Sequence, residues 1–212
     1  MTAAHSRRPS AAGRPRSSSR EMIAEAAAEL FLEQTYAGTT VDDIARRAGV
    51  SRATFFNYVG AKSDLLWVEV DDALAAFDAT LASVPSESAP MDAVLDAVTR
   101  LADSFGPGRL PLAVTQVELM GTDAELQASA LPRFLALVRR LQSFIAVRSG
   151  AASDALLPRA AATAVVGAAV SAAAAWARAG VARGPLTPLV REAVAPVCAG
   201  YAAVLGGTPE TR

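Results

Sequence analysis

The stretch from Thr39 to Lys62 constrains the fold of this chain more than any other segment. Thr40 followed by Asp43 predicts a capping box, so a helix should begin directly after Thr40. Gly49 supplies the positive φ with which helices commonly end, and Ser51 can cap a second helix two residues later. The segment therefore predicts two short helices joined by a tight turn.

The second of these helices, from Arg52 to Tyr58, is too short to be stable in water by itself. Neighbouring helices must hold it, and helical spacing turns Phe55 inward toward them. Its other side chains are polar, small and aromatic, and arginine and asparagine are the residues that read guanine and adenine in the major groove. The pattern indicates a DNA-reading helix-turn-helix, and the alternative is a purely structural three-helix unit.

Short motifs at fixed spacing extend this pattern on both sides. In chain order they are A-x-x-L-F at 27–31, G-T-T at 38–40, I-A-x-x-A-G-V-S at 44–51, T-x-F at 54–56 and K-x-x-L at 62–65. The ordered set resembles the DNA-binding domain of TetR-family transcriptional regulators. The resemblance implies an all-α fold of about nine helices, in which an N-terminal three-helix helix-turn-helix domain precedes a C-terminal helical ligand-binding and dimerisation domain.

The resemblance assigns DNA contacts to the second helix, and helix N-termini favour phosphate. Arg52 suits guanine and Asn57 suits adenine. Thr40 and Lys62 lie at predicted helix N-termini, although Lys62 is alternatively an ordinary solvated lysine. The full set of predicted DNA contacts is Thr40, Arg52, Ala53, Thr54, Phe56, Asn57, Tyr58 and Lys62.

Four positions depart from the family pattern. Thr35 stands where a glycine usually ends the first helix, so we expect a turn that is strained or shifted toward Gly38. Ala61 replaces a serine or asparagine cap, which should weaken the start of the fourth helix by ~1 kcal/mol. Phe56 and Tyr58 replace the common tyrosine and histidine.

Composition excludes several other classes for the 212-residue chain. The single cysteine, Cys198, rules out an internal disulfide and suits a reducing compartment, so we expect a cytoplasmic protein in which Cys198 is a buried small residue. The only histidine, His5, lies in an arginine-rich segment that reads as a disordered basic arm. A His-dependent triad or metal site is therefore excluded, and we expect no enzyme, cofactor or metal.

The patterns divide the chain into a basic arm at 1–17, a DNA-binding domain at 18–66 and a C-terminal domain at 67–212. The helix-turn-helix itself occupies about 40–59, and whether the arm contacts DNA stays open. Apolar periodicity and helix-breaking glycines and prolines predict the other helices. They lie at about 18–34, 62–82, 91–105, 110–120, 154–179 and from 187 onward, and a longer helix between 120 and 154 ends near 148. Pro132 either starts or kinks the helix that ends near 148.

The alanine-rich helix at 154–179 has no charged residue between Arg159 and Arg178. It is long enough to be weighed as a membrane span, but alanine is weakly apolar, so a buried interface helix is favoured and no membrane partner is expected. Gly167, Ser171 and Ala175 form a stripe on which another helix can approach closely. With the last helix, it resembles the family's dimer surface, a four-helix bundle; the alternative is a core helix within one chain.

Large side chains are spread over the middle helices, and most of them should be plain core. We expect some to line a ligand cavity, with Gln116, Glu118, Arg133 or Arg140 as polar anchors. The predicted pocket residues are Phe105, Gln116, Met120, Phe134, Phe144 and Trp176.

These features predict a repressor that binds a near-palindromic operator in double-stranded DNA as a homodimer. A small apolar or amphipathic effector should release it by favouring a state that fits the operator poorly. One alternative is a DNA-binding regulator whose C-terminal domain senses a partner protein or no ligand. A helical enzyme is the remote alternative.

Overall fold

A computed structural model describes residues 16–106, 110–180 and 183–205, with side chains from residue 19 onward. Within these ranges every regular element is a helix, which confirms the predicted all-α class. There are ten α-helices and one 3-10 helix, η1. Their bounds are α1 Arg16–Gly38, α2 Val41–Arg47, α3 Arg52–Tyr58, η1 Lys62–Leu66, α4 Val68–Ala82, α5 Pro90–Asp103, α6 Leu112–Thr115, α7 Val117–Met120, α8 Asp123–Ser149, α9 Leu156–Arg178 and α10 Thr187–Leu205.

The chain forms two compact units, an N-terminal unit up to Leu65 and a C-terminal unit from Leu66. The N-terminal unit packs α1, α2 and α3 around one apolar core. Phe55 is fully buried in this unit, as its helical position predicts. The other core side chains are Ile23, Ala26, Ala27, Leu30, Phe31, Ile44, Ala45, Ala48 and Val59.

The turn that ends the regular part of α1 lies at Thr35 and not at Gly38. Gln34 and Thr35 leave the helical region, and Thr35 has φ 67° and ψ 163°, a conformation that suits glycine and strains a β-branched residue. The buried Thr39 holds the turn, because its hydroxyl donates to the Thr35 carbonyl oxygen at 2.8 Å. The expected strain is therefore present, and the expected shift toward Gly38 is not.

The fourth helix is shorter than predicted, because the segment 62–66 is the 3-10 helix η1 and α4 begins only at Val68. Asp64 explains the tight turn. Its carboxylate accepts a hydrogen bond from the Ala61 N–H at 2.9 Å, and its own N–H donates to the Ala61 carbonyl oxygen at 3.0 Å. Asp64 thus supplies the capping acceptor that Ala61 lacks, and it does so around a three-residue turn.

The C-terminal unit buries one core among α4, α5, α8, α9 and α10. Its fully buried side chains include Phe77, Val94, Leu141, Ile145, Val165 and Val194. Cys198 lies in the same core, as predicted, and burial raises the pKa of its thiol to about 11. The unit is therefore held by close packing of alanine and branched aliphatic side chains, and the thiol takes part only as a small apolar group.

Two helical segments of the C-terminal unit differ from the predicted helices. The segment predicted as one helix at 110–120 is two short helices, α6 and α7. Pro132 lies inside α8, which begins nine residues earlier. The start is fixed by Thr122, which is fully buried and donates its hydroxyl hydrogen to the Ala113 carbonyl oxygen at 2.7 Å. A contact with α6 thus sets the boundary that the proline was expected to set.

Candidate nucleic-acid interface

Local caps build the helix-turn-helix in the way that the sequence predicts. The Thr40 hydroxyl accepts from the Asp43 N–H at 3.1 Å, and the Asp43 carboxylate accepts from the Thr40 N–H at 3.0 Å, which confirms the capping box. The hydrogen bonds from Thr40 lower the pKa of Asp43. Gly49 has φ 68°, and the Ser51 hydroxyl accepts from the Thr54 N–H at 3.0 Å. These contacts fix where α3 begins.

One face of α3 is exposed and carries most of the predicted DNA contacts. Arg52, Ala53, Phe56 and Asn57 are exposed, at the i, i+1, i+4 and i+5 positions that share a helix face. The Phe56 side chain keeps 46% of its area in solvent, a large fraction for an aromatic ring in a core-packed unit. The arrangement presents a cation, a methyl group, a ring and an amide together.

Thr54 and Tyr58 are half-buried at the edges of this face. The Thr54 hydroxyl lies 2.8 Å from that of Ser51, so it is part of the cap as well as of the surface. Thr40 is exposed at the start of α2, with its hydroxyl already engaged in the capping box. DNA contacts by these three residues remain predictions.

Lys62 has an internal role that the sequence did not reveal. Its amino group donates to the backbone carbonyl oxygens of Tyr36 and Thr39, both at 2.9 Å, and lies 3.9 Å from the centre of the Tyr36 ring. These contacts tie the start of η1 to the connection between α1 and α2. The predicted phosphate contact of Lys62 stays a prediction, and the observed contacts are structural.

The arginines of α2 and α3 are paired with carboxylates of the same unit. Arg47 bridges Glu29 and Glu33 of α1 at 3.0 Å and 2.7 Å, and this pairing raises its pKa above the usual range. Arg46 lies 3.1 Å from Asp43. Arg47 thus belongs to an ion-pair cluster with α1, for which the spacing of acids four apart at 29 and 33 was the available sequence signal. Residues 1–15 of the basic arm predicted at 1–17 lie outside the described residues, and α1 already begins at Arg16.

Arg52 also has a carboxylate partner that the sequence analysis missed. Its Nη1 atom lies 2.7 Å from Oδ1 of Asp42 on α2, and its guanidinium lies 5.4 Å from the centre of the Phe56 ring. Both members of the ion pair are more than half exposed. The side chain that is predicted to read a base thus has contacts with two neighbours.

The predicted small-residue stripe lies on the outer side of α9. Ser171 and Ala175 are exposed and Gly167 is half-buried, with open space around the position of a Cβ atom at 167. The opposite side of α9 is buried in the core of its own chain, which agrees with the core-helix alternative for that side, and a dimer surface on the outer side stays a prediction. α10 exposes Pro196, Ala199, Gly200 and Ala203 in the same manner. Ala- and Val-rich α9 and α10 are also long and apolar enough to cross a membrane by length and composition alone, which is weak support for a span.

None of the six predicted pocket residues lines either of two clefts in the C-terminal unit. Met120 and Trp176 are buried, Phe105, Phe134 and Phe144 are partly buried against the core of the C-terminal unit, and Gln116 is half-buried. A cleft of about 510 Å³ between α8 and α9 and another of about 290 Å³ near the start of α9 are lined by other residues. A ligand-binding role for the six residues remains a prediction.

The proposed polar anchors are mostly engaged in internal contacts. Arg133 donates two hydrogen bonds to the Asp71 carboxylate, both at 2.7 Å, and Arg140 donates to the Leu74 carbonyl oxygen at 2.6 Å. Glu118 is exposed. Arg183, which the sequence analysis did not single out, stacks 5.2 Å from the centre of the Trp176 ring. The sequence feature that could have indicated this contact is a lone arginine in the turn between two apolar helices.

Comparison with known proteins agrees with this architecture. Residues 23–66 match the model described as bacterial regulatory proteins, tetR family, and residues 88–202 match the model described as MftR C-terminal domain. The second match covers more than half of the chain. The two matches place one family over both units.

Individual relatives are similar over most or part of the chain. A Mycobacterium tuberculosis protein named as the mycofactocin biosynthesis transcriptional regulator MftR is 29% identical over 166 residues, which are 78% of this chain and 83% of that protein. The HTH-type transcriptional regulator EthR of Mycolicibacterium smegmatis is 33% identical over 98 residues, 44% of each protein.

Solved structures share the fold at low identity. A TetR-family transcriptional regulator from Mesorhizobium loti has a TM-score of 0.56 at 20% identity, and the match covers 91% of this chain and 98% of that one. Thermus thermophilus FadR, a repressor solved with lauroyl-CoA, has a TM-score of 0.52 at 22% identity, covering 91% and 96%. With the family matches and the geometry of α3 taken together, the chain belongs to the TetR family of bacterial transcriptional regulators, and it is a DNA-binding regulator and not an enzyme.

Proposed function

We propose that the protein is a cytoplasmic homodimeric repressor that leaves its operator when a small apolar or amphipathic effector binds the C-terminal unit. The observation that carries the DNA-binding part is the exposed face of α3, where Arg52, Phe56 and Asn57 stand outward while Phe55 is buried. Arg52 and Asn57 are five residues apart, about 1.4 helical turns, which allows one helix to address two base pairs of a half-site.

Dimerisation would place two such helices in successive major grooves of a near-palindromic site, roughly 34–36 Å apart. The outer sides of α9 and α10 support this proposal because their exposed residues are mostly small and uncharged. Two copies could pair these helices into a four-helix bundle with close backbone approach at Gly167. Such a surface stabilises association through burial of apolar area, which single chains leave exposed.

The effector is proposed to bind among the partly buried aromatic side chains of the C-terminal unit. Met120 and Trp176 are buried, so a molecule entering beside them must displace packed side chains. That displacement gives the effector different affinities for two conformations, which release from DNA requires. The structural relative FadR was solved with lauroyl-CoA, an amphipathic molecule, and this supports the chemical class proposed here.

Transmission is proposed to use a polar cluster that joins α8 to the start of α4. The Trp67 indole N–H donates to the Ser129 hydroxyl at 2.8 Å, and Arg133 lies 4.9 Å from the centre of the Trp67 ring while it pairs with Asp71. Trp67 directly follows η1 in the chain. A shift of α8 on effector binding would therefore move the segment that leads to the DNA-binding helices.

A gel-shift titration with the DNA upstream of the protein's own gene tests the proposal. We expect a specific complex that competitor DNA does not remove, that Arg52→Ala weakens, and that an amphipathic ligand such as an acyl-CoA dissociates. Sedimentation of the free protein as a monomer at micromolar concentration would contradict the dimer. Specific DNA binding that ignores every small molecule but changes with a cellular protein would favour a partner-sensing regulator.

A further inference from the structure

The contact between Asp42 and Arg52 joins the two helices of the helix-turn-helix through their exposed side chains. Oδ1 of Asp42, near the start of α2, accepts a hydrogen bond from Nη1 of Arg52, the first residue of α3, at 2.7 Å. The guanidinium also lies 5.4 Å from the centre of the exposed Phe56 ring. A hydrogen bond to an acid and a contact with an aromatic ring therefore restrict the rotamers of Arg52.

This ion pair contributes little to stability, because exposed pairs are hydrated and screened by salt. The Arg52 and Asp42 side chains are 59% and 58% exposed. A guanidinium has five N–H donors, and the contact with Asp42 occupies Nη1 alone. Reading guanine requires two donors directed at O6 and N7, so the remaining edge of the group suffices for that contact.

We propose that Asp42 is a specificity-determining residue that positions Arg52 for guanine, an inference that rests on the proposed DNA-binding function. An arginine without such a support must lose its rotamer freedom on binding the base, and one held in place has lost much of it beforehand. This saving of side-chain entropy strengthens binding only where the base accepts two hydrogen bonds from Arg52. Asp42 thus sharpens base choice at one position of each half-site.

A carboxylate near DNA has a second, opposite effect, because it repels phosphates whatever the base sequence. Removing the charge should therefore raise affinity for all sequences slightly while it lowers the preference for guanine. The ratio of affinities for two operators that differ only at the Arg52 position cancels the uniform repulsion. This ratio separates positioning by Asp42 from a simple charge effect.

The test compares Asp42→Asn with the wild type on the operator and on variants in which the base pair read by Arg52 is changed. We expect the guanine preference to fall about three- to tenfold, measured by fluorescence anisotropy at fixed salt. Glu33→Gln is the matched control, since it removes one carboxylate from another exposed 2.7 Å pair, with Arg47. The control should leave the guanine preference unchanged, and thermal melting should show both variants folded.

The decisive comparison repeats Asp42→Asn in an Arg52→Ala background, where the substitution should no longer alter base preference. An unchanged guanine preference in Asp42→Asn, or an equal change with Arg52 absent, would overturn the role of Asp42. In those cases specific binding by the wild type would leave the proposed function standing. If the wild type shows no specific operator binding at all, the proposed function fails first.

Discussion

The exposed face of α3 and the outer side of α9 use opposite chemistry, although both are one side of a helix whose other side is buried. On α3 the exposed groups are a cation, an aromatic ring and an amide, and the neighbouring arginines are paired with acids. On α9 the exposed groups between Arg159 and Arg178 are uncharged and mostly small. The difference lies in what each surface is expected to meet.

A DNA groove is a wet polyanionic surface with directional donors and acceptors, so long polar side chains with defined rotamers suit it. A second copy of the same helix offers no such pattern, and close packing of small residues is the available source of affinity. Exposure alone therefore does not indicate the function of a helix surface. The chemical kind and the spacing of the exposed groups distinguish a base-reading surface from a self-association surface.

The largest expected effect comes from adding bulk to the α9 surface. Gly167→Leu should cost about 2–6 kcal/mol of dimerisation free energy, because a two-fold interface contains the substitution twice and overpacking is destabilising each time. Sedimentation velocity over a concentration series measures it. A Cβ atom at 167 has open space around it in its own chain, so we expect the monomer to keep its fold. Unchanged dimerisation would remove Gly167 from the interface.

The next largest expected effect is on the free energy of DNA binding, when the residues of α3 that are predicted to read bases are substituted. Arg52→Ala and Asn57→Ala should each reduce specific binding by ~1–3 kcal/mol and relax base choice at a single position of each half-site. Titrations against operators with single base-pair changes measure this. Ser86→Ala, a change at an exposed loop position of the C-terminal unit, is a suitable control for general effects on folding. A uniform loss over all sequences would assign Arg52 to phosphate contact.

Lys62 tests whether the reading surface depends on internal support. Lys62→Met removes the charge but keeps the length, so it should lower the stability of the N-terminal unit by ~1–2 kcal/mol through loss of the bonds to Tyr36 and Thr39. Urea unfolding measures the change, and Lys62→Arg should retain part of the stability. A loss of DNA affinity without any loss of stability would restore the phosphate contact as the main role.

The smallest expected effect is a gain in the free energy of unfolding. Thr35→Gly should stabilise the protein by about 1 kcal/mol, because glycine adopts the positive φ of this turn without the strain of a β-branched side chain. The gain is limited by the greater entropy of glycine in the unfolded chain. Thermal unfolding compared with Thr35→Ala, which keeps a Cβ atom, measures it. A lower melting temperature for Thr35→Gly than for Thr35→Ala would contradict the strain.

The all-α class and the caps of the helix-turn-helix could be predicted from residue types and their spacing. Thr40, Asp43, Gly49 and Ser51 act on backbone groups within a few residues, and the inward position of Phe55 follows from helical period alone. Contacts of this range are encoded wherever the residue types and spacing occur. The small-residue stripe on α9 was predictable for the same reason.

Contacts between side chains that are distant in sequence could not be predicted, because they depend on how the helices pack. Lys62 bonds to Tyr36 over 26 residues, Asp42 reaches Arg52 from a different helix, and Thr122 fixes the start of α8 by a contact with Ala113. Each pairing depends on the angle between two helices, which local sequence does not specify. The burial of Met120 and Trp176 likewise follows from how whole helices pack, because a core side chain is positioned by neighbours far away in sequence.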